Sequence, residues 1–474
     1  MPTPEQYDFV ALGGGEAAKL LAWDLSSNHG KKCAVIEHGP ISGACPTVAC
    51  MPTKTLLHSA QLAHLARQVQ ASTPGAASGD FKADMAKVFA RKQEVVDGMA
   101  DLFLGLFAET KSELIRGHGE LVGPKTISCN GRLLTAETVL INTGSKAFVD
   151  TSIPGLADAK PLTHVELLNI TTLPSHLIIL GGGYVGMEFA QAYARFGARV
   201  TVIERNSQVL NKEDSDVVTE LTTILTREGV EFLTSTTVTN ITGTSGSEIT
   251  LTLSNSSSSS SSAGGPSTLR GSHLLVSAGR TPNTSGIGLT EAAGITLTAT
   301  GHVAVDAQLR TSVPGVFAAG DCAGSPYFTH MGWDDYRVIL GVLTGAPRER
   351  GTEGRQVPSV LFTSRELAHV GLREGEAREK GVKYRLVKAP MGAFLRTRAL
   401  GETEGFAKAL VEAEGERILG FTALGPGVGE LLPVVQLVMK LGLSYKELVD
   451  LTIVHPTMSE GLVDLFRSVP PMSK

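Results

Sequence analysis

Two short apolar runs in this chain each lead directly into three consecutive glycines. The first, Asp8 to Leu12, precedes Gly-Gly-Gly-Glu-Ala-Ala, and the second, Ser175 to Leu180, precedes Gly-Gly-Gly-Tyr-Val-Gly. An uninterrupted apolar run before a glycine turn is typical of a buried strand that passes into a helix. Because the pattern occurs twice, the sequence predicts two nucleotide-binding units in one chain.

The first unit carries the residues that such a turn needs. Gly13 and Gly15 permit the tight turn and a close approach to a pyrophosphate, and Ala18 occupies the position where the helix packs on its strand. Glu37 closes the second strand, Lys-Cys-Ala-Val-Ile-Glu, where a carboxylate can bind ribose hydroxyls. We expect a dinucleotide cofactor at this turn.

The second unit repeats the arrangement with Gly181, Gly183 and Gly186, and Glu204 ends its second strand, Arg-Val-Thr-Val-Ile-Glu. A carboxylate accepts hydrogen bonds from a free 2′-hydroxyl but repels a 2′-phosphate. We therefore expect NADH to be preferred to NADPH, a preference that the adjacent Arg205 softens.

The remaining apolar pattern predicts a third region. A serine-rich run, Ser254 to Ser267, separates strand-like segments at 248–253 and 272–277 and is interpreted as a flexible hairpin loop. Beyond residue 350, strand-like segments and one helical segment follow, near Leu361 and over 384–387, 406–411 and 428–441. This succession of strand-like segments followed by a helical one predicts a separate C-terminal α+β domain.

Composition narrows the class of protein. At roughly 150 residues per domain, 474 residues predict about three domains. The 42 Lys and Arg against 47 Asp and Glu, without a long basic run, argue against nucleic acid or a membrane surface as a partner. The first ten residues show no leader pattern and no apolar stretch reaches about 18 residues, so we expect a cytoplasmic protein.

Cys45 and Cys50 are the strongest candidates for chemistry. Four residues separate them, which allows a disulfide if their Cα atoms approach within about 7 Å. Pro52 suits the first turn of a helix, so Cys50 would lie at a helix N-terminus, where a thiolate is favoured. Two inert thiols or half of a zinc site are the alternatives. Zinc is disfavoured because the other cysteines are scattered, at Cys33, Cys129 and Cys322.

Together these segments resemble the FAD-dependent pyridine nucleotide-disulfide oxidoreductases, a family that includes dihydrolipoamide dehydrogenase, glutathione reductase and mercuric reductase. Further matches are Ile-Asn-Thr-Gly-Ser at 141–145, Ala-Gly-Arg-Thr-Pro-Asn-Thr at 278–284, Val-Phe-Ala-Ala-Gly-Asp at 316–321 and His-Pro-Thr-Met-Ser-Glu at 455–460. The resemblance implies an α/β fold with two Rossmann-like dinucleotide-binding domains and a C-terminal α+β dimerisation domain. It implies an FAD domain at 1–150 and 280–347, an NAD(P) domain at 151–279 and a dimerisation domain at 348–474.

The resemblance also implies roles around the two cofactors, FAD and NADH, with NADPH possible. Asp321 would bind the ribityl chain, and Lys54 and Glu188 would form an ion pair near the flavin N5. Tyr184 matches a ring that covers the nicotinamide pocket in some relatives, with plain packing as the alternative. Further cofactor contacts are assigned to Thr143, Gly144 and Gly279.

In the implied reaction, hydride passes from NAD(P)H to FAD and then opens a Cys45–Cys50 disulfide. Cys50 would face the flavin, and Cys45 would attack a small or specialised disulfide. His455, oriented by Glu460, would reach across a homodimer and protonate the departing thiolate. The alternative is a flavin reductase that passes electrons to a metal ion, quinone or oxidant.

The cysteine loop departs from the usual family pattern. Ser42 and Ala49 stand where the family usually has glycines, and Thr47 stands where it usually has asparagine. The segments Phe328 to Arg337 and Phe394 to Phe406 are similar to those of a mercuric-reductase-like subgroup. For His330 in the first of these, contact with a substrate or metal and a helix-capping or flavin-packing role are both open.

Overall fold

The structure is a computed structural model that describes residues 3–72, 82–255, 267–345 and 350–472. Its elements fall into three groups along the chain. The first group contains β1 (Glu5–Leu12), α1 (Glu16–His29), β2 (Cys33–Glu37), α2 (Ala44–Thr47), α3 (Cys50–Ser72), α4 (Met85–Thr110), β3 (Glu113–Arg116), β4 (Gly119–Gly123), β5 (Thr126–Cys129), β6 (Arg132–Ile141) and β7 (Ser145–Ala147).

The second group contains α5 (His164–Leu167), β8 (His176–Leu180), α6 (Tyr184–Phe196), β9 (Arg199–Ile203), α7 (Ser215–Arg227), β10 (Val230–Leu233), β11 (Thr236–Gly243), β12 (Ile249–Asn255), β13 (Ser267–Gly271), β14 (His273–Val276) and β15 (Arg280–Pro282). The third group contains β16 (Val316–Ala318), α8 (Thr329–Thr344), β17 (Ser359–Leu361), β18 (Glu366–Gly371), α9 (Glu374–Glu379), β19 (Tyr384–Pro390), α10 (Leu395–Leu400), β20 (Phe406–Glu412), β21 (Ile418–Gly425), α11 (Leu432–Leu441), α12 (Lys446–Val449) and α13 (Glu460–Arg467). Short 3-10 helices cover Gly320–Ala323, Met391–Ala393 and Val428–Leu431.

The first sheet has a parallel core in the order β3, β2, β1, β6, and β16 pairs in parallel with the end of β6. β4 and β5 extend it with antiparallel pairing. Phe9 to Leu12 of β1 are all buried, as expected for a strand with helices on both faces of the sheet. That burial explains why the strand appears in the sequence as an unbroken apolar run.

The second sheet is parallel in the order β10, β9, β8, β14, and a three-stranded antiparallel sheet of β11, β12 and β13 accompanies it. β7 and β15 pair with each other in register, Ala147 opposite Arg280. The chain therefore leaves the first unit and returns to it at neighbouring points. The two parallel sheets bear out the predicted pair of Rossmann-like units.

The third sheet is antiparallel, in the order β17, β18, β21, β20, β19. Its core packs against α11 and α13, with buried residues that include Val370, Phe394, Phe421, Val435 and Leu465. This confirms the C-terminal α+β domain, although the sequence pattern did not separate the central strands β18 and β21. Within the described ranges, no helix is long and apolar enough to cross a membrane.

The predicted serine hairpin is described only at its two sides. β12 pairs antiparallel with β13, Leu253 opposite Ser267, so the strand that returns is Ser267–Gly271. The following segment, β14, instead joins the parallel sheet beside β8. The serine run itself, at 256–266, lies outside the described residues.

Candidate active site

The cysteine pair sits where two helices begin. Cys45 lies in α2, Cys50 is the first residue of α3, and Thr329 is the first residue of α8. The Thr329 Oγ1 atom lies 3.2 Å from the Cys50 Sγ atom. Cys50 thus lies at a helix N-terminus, as Pro52 predicted, and it also has a hydroxyl partner from a distant part of the chain.

The two thiols have opposite acidities. Both are reduced in this structure. A hydrogen bond from the Cys45 thiol lowers the pKa of Cys50, and the Thr329 hydroxyl and the Lys54 charge act in the same direction. The same hydrogen bond raises the pKa of Cys45, and burial raises it further. Cys50 is therefore the thiolate of the reduced pair, and Cys45 carries the proton.

Lys54 lies one helical turn beyond Cys50 on α3, and it is paired with Glu188 on α6. The Lys54 Nζ atom is 2.8 Å and 2.7 Å from the two carboxylate oxygens of Glu188. The backbone N–H of Phe362 also donates to Glu188, at 3.0 Å, and the Phe362 ring lies 4.4 Å from Nζ. The structure thus brings the predicted ion pair together and ties all three groups of elements to it.

The two glycine turns have nearly identical geometry. The Gly13 N–H donates to the Ile36 carbonyl and the Gly181 N–H to the Ile203 carbonyl, each at 2.9 Å. Both glycines have positive φ, 92° and 107°. A Cβ atom would lie 2.6 Å from a backbone oxygen at Gly13 and 2.7 Å from one at Gly181, so neither position admits a side chain.

The acid that follows each turn is held in the same way. The Gly14 N–H donates to Glu37 at 2.8 Å, and the Gly182 N–H donates to Glu204 at 2.9 Å. Each carboxylate also accepts a second backbone N–H, from Gly39 and Asn206 respectively. Both side chains are therefore anchored at the carboxyl edge of their sheet, with lone pairs left for ribose hydroxyls.

The helices after the turns begin at glycine N-caps, Gly15 for α1 and Gly183 for α6, which supply no capping side chain. Ala18 and Gly186 are buried in the first turns of these helices, at the helix-packing position predicted for them. A Cβ atom at Gly186 would lie 2.2 Å from the Gly181 carbonyl oxygen. Both helix N-termini thus combine close packing with a surface suited to an anionic group.

The motif residues Thr143, Gly144 and Asp321 lie together where β6 and β16 end. Thr143 donates to the Asn283 carbonyl at 2.6 Å, and Asn283 N–H donates to the Gly144 carbonyl at 2.9 Å. The Asp321 carboxylate accepts a hydrogen bond from Ser145 and pairs with Arg280 at 3.6 Å. Gly279, with φ 138°, accepts from the Phe148 N–H at 3.0 Å.

Tyr184 bridges two parts of the chain. Its hydroxyl donates to Glu213 at 3.1 Å and lies 3.3 Å from the Ser359 hydroxyl, and its ring lies 6.1 Å from that of Phe328. Glu213 in turn pairs with Arg373 at 2.7 Å. The ring is thereby held beside Phe328, at the beginning of the helix that supplies Thr329.

His455 and Glu460 form a hydrogen-bonded dyad. The His455 Nδ1 atom is 2.9 Å and 3.1 Å from the two carboxylate oxygens of Glu460, the first residue of α13. The imidazole is 61% exposed, and no hydrogen bond or ion pair in the described part of the chain joins it to Cys45. Most of the imidazole is therefore open to solvent, and Val454 beside it is 75% exposed.

Two side chains of this site were not predicted from the sequence. Thr329 contacts Cys50 from 279 positions away, and Asn142 spans the first glycine turn by accepting from Ala18 N–H at 3.1 Å and donating to the Ala319 carbonyl at 2.7 Å. Both residues lie inside sequence motifs described above, at 328–337 and 141–145. Membership of these motifs was the one sequence feature that could have identified them. His330, next to Thr329, binds the Pro358 carbonyl at 2.9 Å and stacks on Phe328.

No group of three or more metal-ligating side chains occurs among the residues that the structure describes. The pKa of His330 is lowered by burial. A cavity of about 300 Å³ opens beside Lys54, where α3, α6 and the third sheet meet. Cys50, Thr329 and the Lys54–Glu188 ion pair together form a site whose side chains are suited to thiol exchange, and this cavity lies next to the ion pair.

Comparison with known proteins gives matches over almost the whole chain. Residues 7–335 match the family model described as pyridine nucleotide-disulphide oxidoreductase, and residues 357–466 match the dimerisation domain of the same name. The chain is 33% identical over 476 residues to the probable pyridine nucleotide-disulfide oxidoreductase RclA of Escherichia coli, covering 98% of this chain and 99% of that protein.

It is also 30% identical over 466 residues to the mitochondrial dihydrolipoyl dehydrogenase of Pisum sativum, covering 97% of this chain and 90% of that protein. Among solved structures, the Cu(II) complex of the HOCl-induced flavoprotein disulfide reductase RclA from Escherichia coli superposes with a TM-score of 0.87 at 32% identity. That match covers 98% of this chain and all of the other.

Proposed function

The chain belongs to the pyridine nucleotide-disulphide oxidoreductase family, whose members use FAD and NAD(P)H, and from this we propose a specific cycle of disulfide reduction. In it, Cys45 and Cys50 are the redox pair, and a small disulfide is the electron acceptor. The observation that carries the proposal is the position of Cys50 as the first residue of α3, with the Thr329 hydroxyl 3.2 Å from its Sγ atom and Lys54 one helical turn further on.

The residues of the first unit fit FAD. The glycine N-cap of α1 presents a helix N-terminus to a pyrophosphate, and the Glu37 side chain is held by the Gly14 N–H in a position to bind a ribose. Asp321 lies at the carboxyl edge of the same sheet, with its side chain 26% exposed. When bound, FAD supplies two-electron transfer between a reduced nicotinamide and a disulfide.

The thiol chemistry then follows from the side chains. Once the pair is reduced, Cys50 is kept as the thiolate by Thr329, Lys54 and the N-terminus of α3. Cys45 gives its proton to the His455 imidazole of the other protomer and attacks a substrate disulfide, which forms a mixed disulfide and releases one thiolate. Cys50 then attacks the Cys45 sulfur, which re-forms the internal disulfide and releases the second thiolate.

We propose that the His455–Glu460 dyad of the other protomer in a homodimer carries this proton from Cys45 to the departing thiolate. Glu460 binds Nδ1 of an imidazole that is 61% exposed, so Nε2 is the position left to hand a proton to a departing thiolate. Two observations support an intersubunit role: the dyad lies within the segment that matches the dimerisation domain, and it has no hydrogen bond to the cysteines in the described chain. Leu437 and Leu441 on α11, 58% and 61% exposed, supply apolar surface for such a dimer.

We further propose that NADH is the preferred coenzyme. Glu204 lies at the carboxyl edge of the second sheet and accepts hydrogen bonds from Gly182 and Asn206. A fixed carboxylate at this point binds a free 2′-hydroxyl and repels a 2′-phosphate. The same position in the first unit, Glu37, is the proposed ligand of the FAD ribose.

The test is an anaerobic titration of the purified yellow protein with NADH while absorbance is recorded at long wavelength. A thiolate beside an oxidised flavin gives a long-wavelength band, so the wild type should develop this band at one equivalent of NADH. Cys45→Ser should show the band without reductant, because Cys50 is then an unpaired thiolate, and Cys50→Ser should lack it. Bleaching of the wild type without the band would place the cysteines outside the electron path.

A second candidate, electron transfer from the flavin site to a metal ion such as copper(II), is favoured by one observation, the Cu(II) complex solved for the 32% identical relative. The variant His455→Ala distinguishes disulfide reduction from electron transfer to a metal ion. Disulfide reduction should slow by about 10² to 10⁴, whereas reduction of copper(II) needs no proton for a departing thiolate and should keep its rate. Equal losses with both acceptors would contradict the assignment of the dyad.

A further inference from the structure

Tyr184 stands between the second glycine turn and the cysteine site. It is the first residue of α6, directly after the N-cap Gly183. Its ring lies 6.1 Å from the ring of Phe328, and the next residue, Thr329, contacts Cys50. In the proposed cycle the coenzyme binds at the N-terminus of α6 and reduces the flavin that serves the cysteine pair. A coenzyme that extends from the turn to that flavin must therefore pass the Tyr184 ring.

The Tyr184 hydroxyl is held by two polar groups. It donates to a carboxylate oxygen of Glu213 at 3.1 Å and lies 3.3 Å from the Ser359 hydroxyl. Burial raises the pKa of the Tyr184 hydroxyl, so it keeps its proton and stays a donor. Its acceptor belongs to an ion pair, and hydrogen bonds to such groups are stronger than those between neutral groups.

Arg373 fixes the direction of the Glu213 carboxylate. Its Nε and Nη2 atoms donate to the two carboxylate oxygens at 2.8 Å and 2.7 Å. The Glu213 side chain is 2% exposed and that of Arg373 is 15% exposed, so the pair is only weakly screened by solvent. Arg373 is the N-cap residue of α9, in the third group of elements. The acceptor of the Tyr184 hydroxyl is therefore held in place from outside the second unit.

The residue after Glu213 anchors the same loop to the same part of the chain. The carboxylate of Asp214 accepts the backbone N–H groups of Glu374 and Gly375, at 3.1 Å and 2.8 Å. It also pairs with Lys408 at 2.8 Å, a side chain that is 2% exposed. Since the loop is bound at two successive residues, Glu213 cannot follow the tyrosine ring when the ring moves. Displacing the ring must break its hydrogen bond.

We infer that Arg373 is a positioning residue that, through Glu213, holds the Tyr184 ring across the path of the coenzyme. The Tyr184–Glu213 hydrogen bond then opposes coenzyme binding, and the third group of elements sets how tightly the second unit binds NADH. The inference rests on the proposed function, because it takes the second glycine turn as the coenzyme site.

The test measures the dissociation constant of NAD⁺ for the oxidised holoenzyme by isothermal titration calorimetry. Arg373→Met removes the ion pair, Tyr184→Phe removes the hydroxyl that it holds, and the double variant removes both. Glu213→Gln is also made, because it keeps the size of the side chain and keeps the inference testable if Arg373→Met does not fold. Folding is checked by circular dichroism and by the bound FAD.

Lys388→Met is the matched control. Lys388 pairs with Asp216 at 2.7 Å, so this change also deletes an ion pair between the second and third groups of elements. In the described part of the chain, Lys388 makes no hydrogen bond to Tyr184 or Glu213. Its affinity for NAD⁺ should equal that of the wild type.

Arg373→Met, Glu213→Gln and Tyr184→Phe should each lower the dissociation constant of NAD⁺ about 10-fold, the scale of a lost hydrogen bond to a charged group. The double variant should bind no more tightly than the tighter of its two single variants, because both changes remove the same hold. The limiting rate of flavin reduction by NADH, measured by anaerobic stopped flow, should stay at the wild-type value, because the ring is displaced in every complex.

Four results would overturn the inference. They are a wild-type dissociation constant for Arg373→Met, a gain of about 100-fold in the double variant, weaker binding by Tyr184→Phe, and a changed limiting rate at unchanged affinity. The second would mean that Arg373 and Tyr184 act independently, and the third would make Tyr184 a ligand of the coenzyme. A wild type that binds neither NAD⁺ nor NADH would instead overturn the proposed function.

Discussion

Replacing Thr329 by valine tests how the protein keeps Cys50 as a thiolate. Valine has the shape of threonine without the hydroxyl, so the change deletes the contact of 3.2 Å to the Cys50 Sγ atom and preserves packing at the start of α8. A hydrogen bond to a charged group contributes about 1.5–3 kcal/mol, and 1.36 kcal/mol corresponds to one pH unit in a titration. The midpoint for Cys50 should therefore move upward by about one to two pH units.

The assay is the rate of alkylation of the reduced protein by iodoacetamide as a function of pH, with mass spectrometry used to separate Cys45 from Cys50. Because the hydrogen bonds of Cys50 lower its pKa in the wild type, its thiolate persists to lower pH than an ordinary thiolate. In Thr329→Val, alkylation of Cys50 at pH values below the midpoint should fall about 10-fold or more. The long-wavelength flavin band should lose intensity over the same pH range.

Thr329→Ser is the matched control, because it keeps the hydroxyl and loses only a methyl group. It should titrate close to the wild type. If valine and serine variants share one midpoint, the hydroxyl does not stabilise the thiolate, and the reasoning from the contact is refuted. A downward shift in the valine variant would refute the sign of the effect.

Three further changes follow from the geometry. Lys54→Met leaves the Glu188 carboxylate, 7% exposed, with the Phe362 N–H as its remaining partner, and should lower the free energy of unfolding by about 2–3 kcal/mol in urea titrations; an unchanged transition would show that the ion pair contributes no net stability. Glu204→Gln should reduce the preference for NADH over NADPH, measured as kcat/KM, by about 10-fold, and an unaltered ratio would remove Glu204 from coenzyme selection. Gly13→Ala places a Cβ atom 2.6 Å from a backbone oxygen at a φ of 92°, so the purified protein should carry little FAD; a fully yellow variant would contradict the assignment of this turn.

Strands buried on both faces were the most predictable part of the fold. β1 and β8 appear as apolar runs before glycines because Phe9–Leu12 and Leu177–Ile179 are buried on both faces of their sheets. The start of α3 at Cys50 was equally predictable, because Pro52 is suited to the first turn of a helix. The antiparallel sheet was predicted only in outline, because β18 and β21 are buried among other strands and give no distinctive period.

Contacts made across the chain escaped prediction. The hydroxyl of Thr329 meets Cys50 only because α8 and α3 begin at the same place, and nothing local to either segment encodes that meeting. The same holds for the pairing of Glu213 with Arg373, which anchors Tyr184 between the second unit and the third sheet. The roles of the motif residues stay predictions, to be decided by the variants described above.

The ribbon formed by β7 and β15 has a practical consequence for protein engineering. The segment between them, which we propose binds the coenzyme, enters and leaves through two paired strands, with Ala147 opposite Arg280. It can therefore be exchanged as a cassette with only two junctions, both on one ribbon. A chimera built with the corresponding segment of an NADPH-dependent relative should change coenzyme selectivity and leave the cysteine pair in its own scaffold. The donor segment must keep a glutamate at position 188, because Lys54 remains behind in the recipient.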